Sequence, residues 1–276
     1  MGLIGKKYNT GIALSGGAVR GIAHLGIFQA MEENNIKIDI ISGTSAGALA
    51  GAFIADGFHP QEILEIFSGK KLRELMRLSI PRSGFFNVRG LKEVLTNKLR
   101  AKNIEDLNIP LIVAATDFQK GEITYFGKGP LSDILLASSS IPLLFETTKV
   151  DGIPYIDGGV VDNLPIKPLK KTCKKIIAVH ANPIGRKDKI KNPVQVIERA
   201  FHLAVASEIS RKKNEVDAFI EPEKLKDFGL LDLKNAKKVY QIGYEAGTEY
   251  FEKNNLFNNN SLHIVDLIDV FKKSKA

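Results

Sequence analysis

The stretch Ile40-Ile41-Ser42-Gly43-Thr44-Ser45-Ala46-Gly47-Ala48-Leu49-Ala50 decides how this chain folds. Residues 36–42 are a β-branched run that reads as a strand, and Ala46 to Asp56 read as a helix whose small residues suit burial close to a sheet. Between them stands Gly43-Thr44-Ser45-Ala46-Gly47, a G-x-S-x-G string at a strand-to-helix turn. In that context a serine is held in strained backbone with its hydroxyl exposed, and the flanking glycines remove side chains that would strike the neighbouring strand and helix. The helix N-terminus beside Ser45 favours negative charge developing there. Elsewhere the same five residues would be an ordinary N-cap.

Working outward, a second junction of the same kind precedes the first. Gly11 to Ser15 read as a strand and Ala18 to Asn34 as a helix, joined by Ser15-Gly16-Gly17-Ala18-Val19-Arg20-Gly21. Small residues there leave backbone N–H groups open to an anion. As a dinucleotide fingerprint the loop lacks its second glycine, because Ala18 stands in that place. As an oxyanion hole it needs only N–H groups, and the amides of Gly17 and Ala18 can supply them. A tight structural turn is the plainer alternative.

Strand periodicity returns at Leu111 to Ala115, in a hairpin around Lys120-Gly121, in a strand ending at Ile156 and at Lys175 to His180. Alternation of strands with helices predicts an α/β fold on a mostly parallel sheet. Residues 60–102 read as a helical insertion broken by Pro81, Gly84 and Gly90, and Val194 to Asn214 and Asn235 to Lys253 as long closing helices. The domain is expected to span 8–253, with an asparagine-rich linker and a short amphipathic segment over 254–276. Ile63 to Ile80 interleaves apolar residues with Lys70, Lys71, Arg73 and Arg77, and Pro81 to Phe86 follow as an apolar loop. That segment is the expected membrane-facing element, a core helix with a basic edge being the alternative.

Composition bounds the remaining classes. The chain has 276 residues, 44% hydrophobic and 25% charged, with 39 basic against 31 acidic side chains for a net charge of +8. One cysteine, Cys173, excludes a disulfide scaffold. No apolar run approaches the roughly 20 residues that span a bilayer, and the first ten residues lack the pattern of a secretory signal. A cytoplasmic protein is expected, in peripheral contact with the inner membrane face at most. The basic charge suits an anionic membrane surface or reflects a lysine-rich exterior; nucleic acid is not the expected partner.

Taken in order, Gly16 to Gly21, Gly43 to Gly47 and Asp157-Gly158-Gly159 resemble the patatin-like phospholipase family. Ala137 to Pro142, Asp162-Asn163-Leu164-Pro165, Val113 to Asp117, Gly229 to Asp232 and Ile242 to Ala246 are similar to its bacterial members. One departure is Ala18, where the family usually has glycine. The resemblance, over about Asn9 to Phe251, implies a three-layer α/β/α fold and a serine acyl hydrolase that needs no metal or organic cofactor. It assigns Ser45 as nucleophile, Asp157 as general base and Gly16, Gly17 and Ala18 to the oxyanion hole, with Arg20, Gly21, Gly43, Gly47, Gly158 and Gly159 as supporting motif residues. An ordinary aspartate is too weak a base for a serine hydroxyl, so Asp157 is expected in a water-excluded pocket. His24 is expected to pack on the first helix, and Arg20 to meet an anionic headgroup or a carboxylate. The expected substrate is a phospholipid or lysophospholipid. A general carboxylesterase or thioesterase, a non-catalytic lipid-binding module and a nucleotide-binding protein are the alternatives.

Overall fold

A computed structural model describes residues 7–69, 89–142, 145–185, 196, 199–200, 203, 208–229 and 232–254. Strand β1 (Tyr8–Leu14) leads through a 3-10 helix (Ala18–Ile22) into α1 (Ala23–Glu33), and β2 (Ile40–Thr44) leads into α2 (Ala46–Ala55). Helices α3 (Pro60–Ser68) and α4 (Arg89–Lys98) follow within the crossover to β3 (Leu111–Asp117), which turns back into β4 (Glu122–Phe126). Next come α5 (Leu131–Ser138), the hairpin β5 (Thr148–Val150) with β6 (Ile153–Asp157), α6 (Lys167–Lys170), β7 (Cys173–Val179), β8 (Ala218–Ile220) and α7 (Ala236–Lys253).

The strands form one sheet in the order β5-β6-β3-β2-β1-β7-β8, with β4 on the other edge of β3. Along that order, from β3 to β8 all neighbours are parallel, while β4, β5 and β6 pair antiparallel. Alternate residues of one strand enter different cores. Ile12 and Leu14 of β1, with Ile177 and Val179 of β7, pack beneath α1, α2, α5 and α7. Ala13, Ile176 and Ala178 face the opposite way, onto Leu164, Ile166 and Leu169 and onto Ile209 of the helical residues 208–213. Burial on both faces explains why the parallel strands read as continuous apolar runs. The result is the expected three-layer α/β/α architecture.

Two boundaries differ from the sequence expectation for local reasons. The strand expected from Ile36 begins only at Ile40. Asn35 takes a left-handed φ of 55°, and the Asn35 and Ile36 N–H groups donate to the carbonyls of Glu32 (3.1 Å) and Met31 (2.9 Å). Ile36 therefore closes a Schellman cap on α1. The helix expected from Ala18 opens as a separate 3-10 helix, because Ala18 is itself left-handed at φ 46°. Of the basic segment Ile63 to Ile80, the described part is a core helix: Ile63 is fully buried, and Phe67 meets the edge of Phe53 at 5.4 Å. Lys70, Lys71, Arg73 and Arg77, the loop Pro81 to Phe86 and the tail from residue 255 lie outside the described residues.

Candidate active site

Register places the two principal residues. On β3, Ala114 pairs with Thr44 on one edge and Tyr125 on the other, while Ala115 pairs with Asp157 and Thr124. Because β4 occupies one edge of β3 from Val113 to Asp117, β2 and β6 share the other. Strand β6 thus begins its pairing where β2 stops, and Asp157 lies one step beyond Thr44. Ser45 is the next residue of the chain, which sets its side chain beside the Asp157 carboxyl, where it favours the ionised form.

Ser45 caps α2 with φ 51° and ψ −121°, a positive-φ conformation that costs a residue with a Cβ about 1–3 kcal/mol. The elbow is held by close backbone packing. A Cβ on Gly47 would sit 2.4 Å from the Leu14 carbonyl oxygen, and one on Gly43 2.7 Å from the Ala48 nitrogen. Gly21 abuts Ala46 from the first loop, and Gly158 abuts the Ala114 carbonyl. These supporting glycines therefore allow three loops to converge on Ser45.

Asp157 is 3% exposed and Ser45 5%. Burial raises the Asp157 carboxyl to about 6, against the opposing effects of the Ser45 hydroxyl and the Gly159 N–H, which donates to its Oδ1 at 2.7 Å. A carboxylate so placed is a stronger base than one in water. Thr116 Oγ1 donates to the Asp157 carbonyl at 3.0 Å and fixes the strand end.

The glycine loop lies alongside. The Gly16 N–H donates to the Asn163 carbonyl at 3.1 Å, which removes Gly16 from the expected set of oxyanion donors. Among the described residues the N–H groups of Gly17 and Ala18 have no backbone acceptor. His24 is fully buried, and its Nε2–H donates to the Ser15 carbonyl at 2.8 Å. Desolvation is the main reason its imidazole falls to about 4, which keeps it neutral and a poor candidate for proton transfer at Ser45. Arg20 is no headgroup contact: it is 2% exposed and donates to the carbonyl of Phe228 at 2.8 Å and to Asn182 Oδ1 at 3.3 Å.

Three features escape the sequence reading of the site. Ser138 Oγ accepts the Ser45 N–H at 2.8 Å. Asp162 and Asn163 tie the Asp157 loop to both junctions, since Thr44 Oγ1 donates to the Asp162 carbonyl at 2.9 Å. Buried Lys212 pairs with Asp162 and with Glu208, and the Tyr125 hydroxyl donates to the other Asp162 oxygen. Burial, with that carboxylate beside it, holds the Tyr125 hydroxyl well above its ordinary range. No cluster of three or more His, Cys, Asp or Glu side chains among the described residues could hold a metal ion. No helix among them is long and apolar enough to cross a membrane.

The chain is also similar to known proteins. The Patatin-like phospholipase family model matches residues 12–170, which include both glycine junctions and Asp157. The lysophospholipase NTE1 of Kluyveromyces lactis is 26% identical over 282 residues, covering 89% of this chain and 20% of that protein. An NTE family protein of Mycobacterium bovis is 34% identical over 165 residues, covering 57% of this chain and 44% of that one. The chain thus spans about a fifth of the length of the lysophospholipase it matches. The crystal structure of VipD from Legionella pneumophila shares the fold, with a TM-score of 0.50, 14% identity and coverage of 90% of this chain and 67% of that one. With more than half of its residues matched by the family model, the chain belongs to the patatin-like phospholipase family.

Proposed function

We propose that this chain removes a fatty acyl group from a phospholipid or lysophospholipid through a Ser45–Asp157 dyad. The observation that carries the reading is Ser45, in the strained turn that opens α2, beside a buried carboxylate whose affinity for protons is raised by burial. Ser45 Oγ attacks the ester carbonyl while Asp157 takes its proton. The N–H groups of Gly17 and Ala18 receive the oxyanion, and the N-terminus of α2 stabilises the same charge. As the tetrahedral intermediate collapses, the ester C–O bond breaks and Asp157 returns the proton to the departing alkoxide. Water then attacks the acyl-enzyme, with Asp157 again as base, and frees the fatty acid and Ser45.

The surroundings suit a substrate drawn from a lipid surface. Phe118, Ile153 and Ile184 are exposed at or just beyond the C-terminal ends of β3 and β7, the end at which Ser45 leaves the sheet, and exposed Val160 and Val161 follow the Asp157 turn. Removing the apolar group at residue 118 or 184 with Phe118→Ser or Ile184→Ser is expected to lower hydrolysis of vesicle phospholipid at least about tenfold, since burying one such side chain among acyl chains is worth about 1.5–3 kcal/mol. Hydrolysis of a soluble short-chain ester should stay within about twofold of wild type. Equal loss on both substrates, or none on either, would contradict lipid-surface access. A wild-type protein that cleaves only soluble esters or thioesters would shift the reading to a general carboxylesterase or thioesterase.

A further inference from the structure

The ladder between β2 and β3 stops one rung short, and a side chain completes it. In a parallel pair the N–H donors of one strand come from every second residue. Ile41 pairs with Leu111 and donates to the Pro110 carbonyl at 2.9 Å, so by register Ser45 is the residue due to donate to Ala114. Ser45 has already turned out of the sheet at φ 51°. Its N–H reaches Ser138 Oγ at 2.8 Å, and the Ser138 hydroxyl donates onward to the Ala114 carbonyl at 2.7 Å. Ser138, at the end of α5, is fully buried, as is Ala114.

We propose that Ser138 is the positioning residue of the elbow, its hydroxyl standing in for the missing rung. The inference rests on the reading of Ser45 as nucleophile. By inserting one oxygen into the rung, Ser138 holds the strained Ser45 backbone away from β3 while leaving that edge of β3 to Asp157 one residue later. It also commits the Ser45 N–H, so that this amide does not turn toward the oxyanion. The neighbouring hydroxyls do neither: among the described residues Ser139 Oγ is buried without a partner, and Ser140 Oγ bonds the Leu136 carbonyl and Thr148.

The test compares the full chain carrying Ser138→Ala, Ser138→Cys, Ser138→Thr or Ser139→Ala with wild type. Two readouts are used: kcat and KM on a soluble short-chain ester, and amide hydrogen–deuterium exchange across residues 41–47. Because a displacement near 1 Å at the reacting atom costs about 100-fold, Ser138→Ala should lower kcat by about that factor, with KM within about threefold. Exchange should quicken across 41–47 and stay unchanged across β7. Ser138→Thr, which keeps the hydroxyl, should recover most of both, and Ser139→Ala should match wild type. If the alanine variant does not fold, the cysteine variant decides, since it fills the space with a weak donor and acceptor. Wild-type kcat and exchange in whichever of the alanine or cysteine variants folds would overturn the proposal. If wild type itself has no esterase activity, the dyad reading fails while exchange alone still decides whether Ser138 holds the elbow.

Discussion

Ester hydrolysis in the Asp157→Asn variant is expected to fall at least about 1,000-fold, because the amide cannot take the Ser45 proton. The same substitution should stabilise the fold at neutral pH. In the folded chain burial lifts the Asp157 carboxyl from 3.8 to about 6, so between those values the native state holds a proton that the unfolded state has lost. Stability therefore falls as pH rises through that window. Above it the ionised carboxylate costs about 3 kcal/mol, which asparagine avoids. Denaturant melts should show the variant more stable than wild type at pH 8 and similar to it near pH 3.5. The kcat/KM of wild type should decline below about pH 6 as the base is protonated. An ordinary α/β-hydrolase triad places its histidine last in the chain, the position of His263, which lies outside the described residues; retention of activity in Asp157→Asn, together with its loss in a folded His263→Ala protein, would replace the dyad with such a site.

The second large effect lies in the helical layer that carries the glycine loop. Helices α1 and α7 meet backbone to backbone. A Cβ on Gly243 would lie 2.1 Å from the Ala23 carbonyl oxygen and 2.7 Å from its Cα, and one on Gly26 2.1 Å from the Tyr240 carbonyl oxygen. Neither contact can be relieved by a rotamer change. Gly243→Ala must push α7 off α1, at an expected cost of about 3 kcal/mol and a drop in Tm of about 6–12 °C. Gly127→Ala, with nothing within 4 Å of the added carbon, is the control and should melt like wild type. Equal Tm values for the two variants would show that α1 and α7 do not pack this closely. Since α1 carries His24, whose Nε2–H fixes the Ser15 carbonyl, the Gly243 variant should also lose activity before it melts.

Much of this arrangement is legible in the sequence where the signal is local. The strand, elbow and small-residue helix around Ser45 occupy consecutive residues, and Asp157 lies between a strand and two glycines. Ser138 stands in the sequence only as part of a family-like string, because its role depends on a register between strands and a contact 93 residues away. Asn163 and the buried Lys212–Asp162 pair are long-range for the same reason. Local pattern also misleads at Ala18 and at Asn35, whose left-handed backbone no side-chain pattern announces. The amphipathic pattern of Ile63 to Phe67 fits a membrane surface as well as a core, and only the tertiary contact with Phe53 separates them.

The central claim is that Ser45 is an activated nucleophile, and covalent labelling with a fluorophosphonate tests it without assuming a lipid. Wild-type protein should acquire one phosphonyl group, mapped by peptide mass spectrometry to Ser45. Labelling should vanish in Ser45→Ala and slow sharply in Asp157→Asn. A folded wild-type protein that stays unlabelled, or that carries the adduct on another serine, would contradict the account.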